Sequence, residues 1–192
     1  GWLAHRRSLM RGLIEIILLL PLVLPPTVLG FYLLIGLSPH AFLGKAWALF
    51  GQGPLVFSFS GLVVGSVICS LPFVLKPIQN AFESVDVKLV EMAETLGYTA
   101  RQIFFKVRLP LSKPALLTAA VIGFGHTLSE FGVVLMLGGN ISGKTRTVSI
   151  AIYDAVESAH YTQAHQLALF MLVISFGLLG IMYRFNRRER WF

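Results

Sequence analysis

Apolar residues gather along this chain into four long stretches, at about 13–35, 56–75, 115–137 and 167–185, separated by shorter polar and basic segments. A bilayer core of about 30 Å is crossed by about 20 mostly apolar residues in a helix, so each stretch is long enough to span. The pattern predicts an all-α fold: a polytopic transmembrane helix bundle with four visible spans, forming a single domain over 1–192. Pro21, Pro25 and Pro26 fall in the first span and Pro72 in the second. Proline removes a helical hydrogen bond, and a bundle tolerates it where neighbours re-satisfy the freed carbonyls. Pro25-Pro26 is read either as a kink or as a helix broken beside a pathway. Gly61 and Gly65 of the second span, and Ala119, Ala120, Gly123, Gly125, Ser129 and Gly132 of the third, are small residues that let helices pack closely in lipid.

The segment 84–110, between the second and third spans, follows a different rule. Val85, Leu89, Met92 and Leu96 share one helical face. Gly97 supplies a C-terminal stop, and Thr99 with Gln102 has the spacing of a capping box that opens a second short helix. That helix carries Ile103, Phe104 and Val107 and is expected to finish before Leu109-Pro110, since proline disfavours helical geometry in the residue before it. Two short helices joined by a glycine are either a pair packed on their own bundle or a docking knob for a soluble partner.

Composition agrees with a lipid solvent. Hydrophobic residues make up 55% of the chain and charged residues 13%, with a mean hydropathy of +0.74; soluble domains carry about 25% charged residues. The net charge of +7 does not point to nucleic acid, because the basic residues sit in blocks between apolar runs rather than on one folded face. Those blocks orient the chain. Arg6, Arg7 and Arg11 precede the first span. Lys76, Lys88, Arg101, Lys106, Arg108 and Lys113 lie between the second and third, and Arg184, Arg187, Arg188 and Arg190 follow the fourth. Only Lys45, Lys144 and Arg146 fall on the other side. The visible N-terminus, 84–110 and the C-terminus are therefore expected to be cytoplasmic. Cys69 is the one cysteine and implies no disulfide, and the five histidines have no metal-ligand spacing. No metal and no cofactor are expected. Gly1 stands where Met would begin a chain, and upstream sequence is read as missing.

Glu91-Met92-Ala93, Gly97, Val107 and Leu109-Pro110 resemble the cytoplasmic signature of ABC-importer permeases, EAA-x3-G-x9-I-x-LP, with its spacing kept throughout. Met92 stands for the second alanine and Val107 for the isoleucine. The resemblance implies that 84–110 is the coupling loop, which docks into a separate ATP-binding subunit, with Glu91, Ala93, Gly97, Val107, Leu109 and Pro110 in that role. Residues 21–30, 85–89, 129–132 and 139–145 further resemble the molybdate/tungstate permease group, with sulfate permeases as close relatives. Membership would imply a homodimeric pathway in the cell membrane, an extracytoplasmic molybdate-binding protein as partner, ATP hydrolysis on the partner subunit and no catalytic residue in this chain. It would also imply one or two further N-terminal spans.

Gly138 to Thr145 satisfies the phosphate-loop consensus. Its place on the outer side, away from cytosolic ATP, and the lack of a later strand ending in an Mg²⁺-binding Asp argue for chance. The same loop offers Asn140, Lys144 and Arg146 as candidate pathway residues near the outer mouth, touching either the anion itself or lipid headgroups and the binding protein. Asp154 and Glu157 are read as solvated. Glu130 lies in the third span near His126, where a carboxylate is costly and would repel a dianion. It is expected to be protonated, hydrogen-bonded or turned away, as a structural or gating residue. A membrane-embedded enzyme would need more than Glu130 and His126. An ATP-independent anion channel would need polar rings lining a pore, and neither explains the spacing in 84–110.

Overall fold

The computed structural model describes residues 9–51 and 53–188, which are all helix and connecting turns. In chain order the helices are α1 (Leu9–Leu19), α2 (Pro26–Gly36), α3 (Phe42–Ala48), α4 (Phe59–Glu83), α5 (Val87–Thr95), α6 (Ala100–Ile103), α7 (Leu109–Ser129), α8 (Gly132–Gly138), α9 (Val148–Glu157) and α10 (Tyr161–Arg188). A 3₁₀ turn (Leu20–Leu22) follows α1, and a π turn (Phe104–Arg108) joins α6 to α7. Arg6, Arg7 and Arg190, on which part of the orientation rests, lie outside the described residues, as do both chain ends.

Three helical stretches are long and apolar enough to cross a bilayer: Phe59–Glu83, Ala100–Ser129 and Tyr161–Arg184. The most apolar window of Tyr161–Arg184 has no residue buried within the chain, so its side chains require an apolar surrounding from outside. The first expected span, 13–35, is corrected. It is a bent pair, Gly12–Leu22 and Pro26–Gly36, set at 118°. Pro25 is extended (φ −55°, ψ 136°) and Pro26 opens α2, where its missing N–H costs nothing. The broken-helix alternative therefore holds. The third expected span, 115–137, is also corrected: helix runs unbroken from 100 to 129, and 132–138 is the separate α8. The second and fourth spans are longer than hydropathy indicated, reaching Glu83 and starting at Tyr161.

The chain divides into two compact units. The first holds residues 1–72 and 127–170. Its core is Leu37, Leu55, Leu62, Cys69, Val133, Val134, Leu137 and Ile150, with Leu29, Leu33 and Leu34 of α2 packed on it. α8 lies at the centre, with Val133 and Leu137 fully buried. Its contact with α2 is backbone-close: a Cβ on Gly132 would stand 2.9 Å from Pro26 Cβ and 3.3 Å from Thr27 N. A Cβ on Gly30 would meet Val133 Cα at 3.0 Å from the other side. Such approach between helices is what small residues permit in lipid.

The second unit holds residues 73–126 and 171–192. In it the end of α4 meets the base of α7. Ser112 Oγ donates to the Ala81 carbonyl at 3.3 Å, and a Cβ on Gly123 would run into Val74. Phe73 stacks on His126 at 3.8 Å between ring centroids.

Gly132→Val should destabilise the first unit by roughly 1–3 kcal/mol, the usual cost of overpacking a filled contact. Thermal unfolding of the detergent-solubilised protein checks this; Gly177→Val, where a Cβ meets nothing within 4 Å, should shift the midpoint far less.

Candidate functional site

The segment 84–110 folds as its local chemistry dictates. Asp86 caps α5 by accepting from the Lys88 N–H at 2.9 Å. α5 ends where Gly97 turns left-handed (φ +80°): the Gly97 N–H donates to the Glu94 carbonyl at 2.9 Å and the Tyr98 N–H to the Ala93 carbonyl at 3.0 Å. This paired closure is the Schellman motif, and its left-handed residue favours glycine. The expected capping box is present, with Thr99 N–H on Gln102 Oε1 at 2.9 Å and Gln102 N–H on Thr99 Oγ1 at 3.4 Å.

Two apolar side chains anchor the turn while others on it stand outward. Ala93 and Ile103 are buried, while Met92 is 61% exposed and Leu96 74%. Glu91 is exposed. Lys106 Nζ sits 5.1 Å from the Tyr98 ring, and the Arg101 guanidinium 6.0 Å from Phe105, bracing the turn from the following helix.

The second helix does not finish before Leu109-Pro110. It passes through the π turn, which contains Val107, into α7, with Leu109 and Pro110 as the first two residues of α7. Pro110 therefore lies within continuous helix, tolerated because the π turn before it replaces α-helical hydrogen bonding. The sequence carries the proline penalty but no signal for the π turn that relieves it.

Glu130 is 7% exposed and lies in the break between α7 and α8, not inside a span. Its Oε1 accepts the Val133 N–H at 3.0 Å, capping the N-terminus of α8. The other end of α8 is closed as well. The Phe57 N–H donates to the Leu137 carbonyl at 2.8 Å, and the Thr145 hydroxyl to the Gly138 carbonyl at 2.7 Å. Phe57 holds a left-handed backbone (φ 58°), uncommon for a bulky residue. The Ser70 and Thr127 hydroxyls meet at 2.6 Å.

In the outer-loop group, Asn140, Arg146 and Asp154 form a closed clasp. Asn140 Nδ2 donates to both Asp154 oxygens at 3.0 and 2.8 Å. Arg146 Nε donates to Asn140 Oδ1 at 2.9 Å, and its guanidinium pairs with Asp154 at 3.1 Å. Asp154 is therefore not simply solvated, which corrects the sequence reading; the carboxylate lies fourteen residues from Asn140, too far for local spacing to reveal. Glu157 is exposed and accepts from the Tyr153 hydroxyl at 2.9 Å, which raises the Tyr153 pKa above its ordinary value. Lys144 is exposed and stands apart from the clasp. The phosphate-loop look-alike is filled by its own backbone: the N–H groups of Lys144, Thr145 and Arg146 all converge on the Ile141 carbonyl. A phosphate-binding loop would turn such amides toward its ligand.

A model of the family described as binding-protein-dependent transport system inner membrane component matches residues 1–191. The chain belongs to this family. This permease is thus a multi-pass inner-membrane transport component and not an enzyme, as the signature in 84–110 implied. It is 52% identical over 186 residues to the molybdenum transport system permease protein ModB of Azotobacter vinelandii, covering 97% of this chain and 82% of that one. The resemblance to the molybdate permease group is borne out. It is 34% identical over 182 residues to the sulfate transport system permease protein CysT of Escherichia coli K12, covering 93% and 65%. A bacterial ABC transporter that imports the acidic polysaccharide alginate shares the fold, with a TM-score of 0.71 at 19% identity over 96% of this chain and 68% of that one.

Glu130→Gln keeps an acceptor for the Val133 N–H and should leave stability within about 0.5 kcal/mol, whereas Glu130→Ala should cost about 1–2 kcal/mol, as lost helix caps do. Thermal melts of the two variants in one detergent separate them.

Proposed function

We propose that this permease is the membrane subunit of an ABC importer for a tetrahedral oxyanion, molybdate or tungstate. In this reading two copies enclose one pathway, and an ATP-binding subunit docks on 84–110 from the cytoplasm. An extracytoplasmic binding protein delivers the anion to the opposite face. The visible termini are then cytoplasmic, in keeping with the Lys and Arg asymmetry. The observation that carries the docking is the turn at Gly97: a rigidly capped knob that leaves Met92 and Leu96 bare, as an anchor for a groove requires. The identity to the molybdenum permease supports the substrate, and the lower identity to the sulfate permease makes sulfate the second reading.

Glu91, Ala93, Gly97, Val107, Leu109 and Pro110 belong to the docking element, Ala93 as its buried anchor and Gly97 as its turn. Glu130, Asn140 and Arg146 hold the frame of the pathway rather than the anion, since each is engaged within the protein. Lys144 remains the outer-loop residue open to the anion, the binding protein or headgroups.

ATP-dependent molybdate uptake into proteoliposomes containing the full-length permease, its ATPase subunit and its binding protein tests this. Gly97→Asp puts a side chain into the left-handed turn and should abolish uptake together with binding of the ATPase subunit. Carriage of sulfate in place of molybdate would change the substrate alone. Uptake without ATP, or uptake untouched by Gly97→Asp, would favour a channel.

A further inference from the structure

The π turn at Phe104–Arg108 lies between the Gly97 turn and the long apolar helix α7, inside one unbroken helical run. A π turn closes i→i+5 hydrogen bonds and so holds one residue more than an α turn, and π turns recur at functional positions. Its effect here is angular. Eight α-helical steps of about 100° would set Phe104 and Ser112 about 80° apart around the axis; with one residue absorbed they come within about 20°. Both side chains do reach neighbouring residues of α4. The Phe104 ring lies 5.6 Å from the Phe82 ring, and Ser112 Oγ donates to the Ala81 carbonyl. Ile103 shows the same rotation. Nine α-helical steps would put it about 180° from Ser112, and the π turn reduces this to about 80°, consistent with both residues being buried. Below Ser112, Ala119 and Gly123 continue one buried stripe at ordinary helical spacing.

We propose that the π turn is a phasing element: it absorbs one residue beyond α-helical register and so fixes the rotational position of the Gly97 turn on α7. Capping at Thr99 starts α6 two residues after Gly97, and Lys106 over Tyr98 ties the turn to the π segment. Rotation of the turn and rotation of α7 are therefore one motion. A single-residue deletion would restore α-helical geometry and leave the phase where it is, since Phe104 and Ser112 would then stand about seven α-helical steps apart; a single-residue insertion would swing the turn by about 100° about the α7 axis. The consequence for coupling rests on the proposed docking of 84–110.

Three forms of the full transporter test this: unaltered, with Lys106 deleted, and with one Ala inserted between Arg108 and Leu109. The deletion should leave the ATPase subunit bound and molybdate carried per ATP within about twofold of the unaltered form, while the insertion should lower that ratio about tenfold or more, a coupling loss in the range seen between linked sites. A second arm does not depend on docking. A Phe82→Cys, Phe104→Cys pair in a Cys69→Ser background should be joined by a short bis-methanethiosulfonate reagent, keep that cross-link on deletion and lose it on insertion. A cross-link lost on deletion or kept on insertion would overturn the phasing. So would normal coupling after insertion, or a deletion variant that cross-links yet is uncoupled. If the cross-link follows the phasing but Gly97→Asp leaves uptake intact, the docking reading fails and the phasing stands.

Discussion

A seven-residue helix at the centre of an apolar unit cannot hold itself together. Each end of a helix leaves backbone groups without intrahelical partners, and in seven residues these are more than half of what the backbone has. Where lipid and apolar side chains replace water, each such group costs several kcal/mol if left bare. α8 is in that position, and the first unit is organised around satisfying it. Glu130 takes an N–H at one end, while the Phe57 amide and the Thr145 hydroxyl close the other. The caps come from three separate segments, so α8 also ties together the chain before α4, the break after α7 and the loop before α9.

The same requirement explains two features that would otherwise look like defects. Phe57 accepts a strained left-handed backbone because its amide is needed at Leu137. Glu130 accepts burial because its carboxylate replaces the water that the α8 N-terminus lacks. α2 is then held by geometry: Gly132 and Gly30 bring its backbone against α8, with Pro26 packed on Gly132. The proline pair breaks the first apolar stretch, and the second half of that stretch becomes the wall of the α8 site.

What the sequence disclosed and what it hid divide along the range of the interactions. The Gly97 stop and the Thr99–Gln102 box are closed by partners within a few residues, so spacing was enough to read them. Membership of the permease family was legible for the same reason, since its signature is a local pattern. Hydropathy, by contrast, could not separate a straight span from a bent one. Residues 13–35 and 115–137 are both mostly apolar on either side of the break. The breaks are decided by Pro25 and by one carboxylate finding an amide three residues on. The Asn140–Arg146–Asp154 clasp was missed because its acid lies in α9, beyond the loop that holds the other two.

That clasp bears on how a dianion could pass. A lone arginine at an entrance would hold such an ion tightly, since charge-assisted hydrogen bonds to guanidinium are strong and are often bidentate. Arg146 is instead occupied by Asp154 and Asn140, with a side chain still 43% exposed. An arriving oxyanion would have to displace two internal partners, Asp154 and Asn140, to gain that guanidinium, so the loop would attract without trapping. Thr145, which the phosphate-loop resemblance would assign to a ligand, is 1% exposed and spent on α8. Asn140, Arg146 and Thr145 are thus already engaged within the protein. In the proposed importer, tight recognition would then fall to the protein that delivers the ion, and the membrane subunit would govern when the path opens.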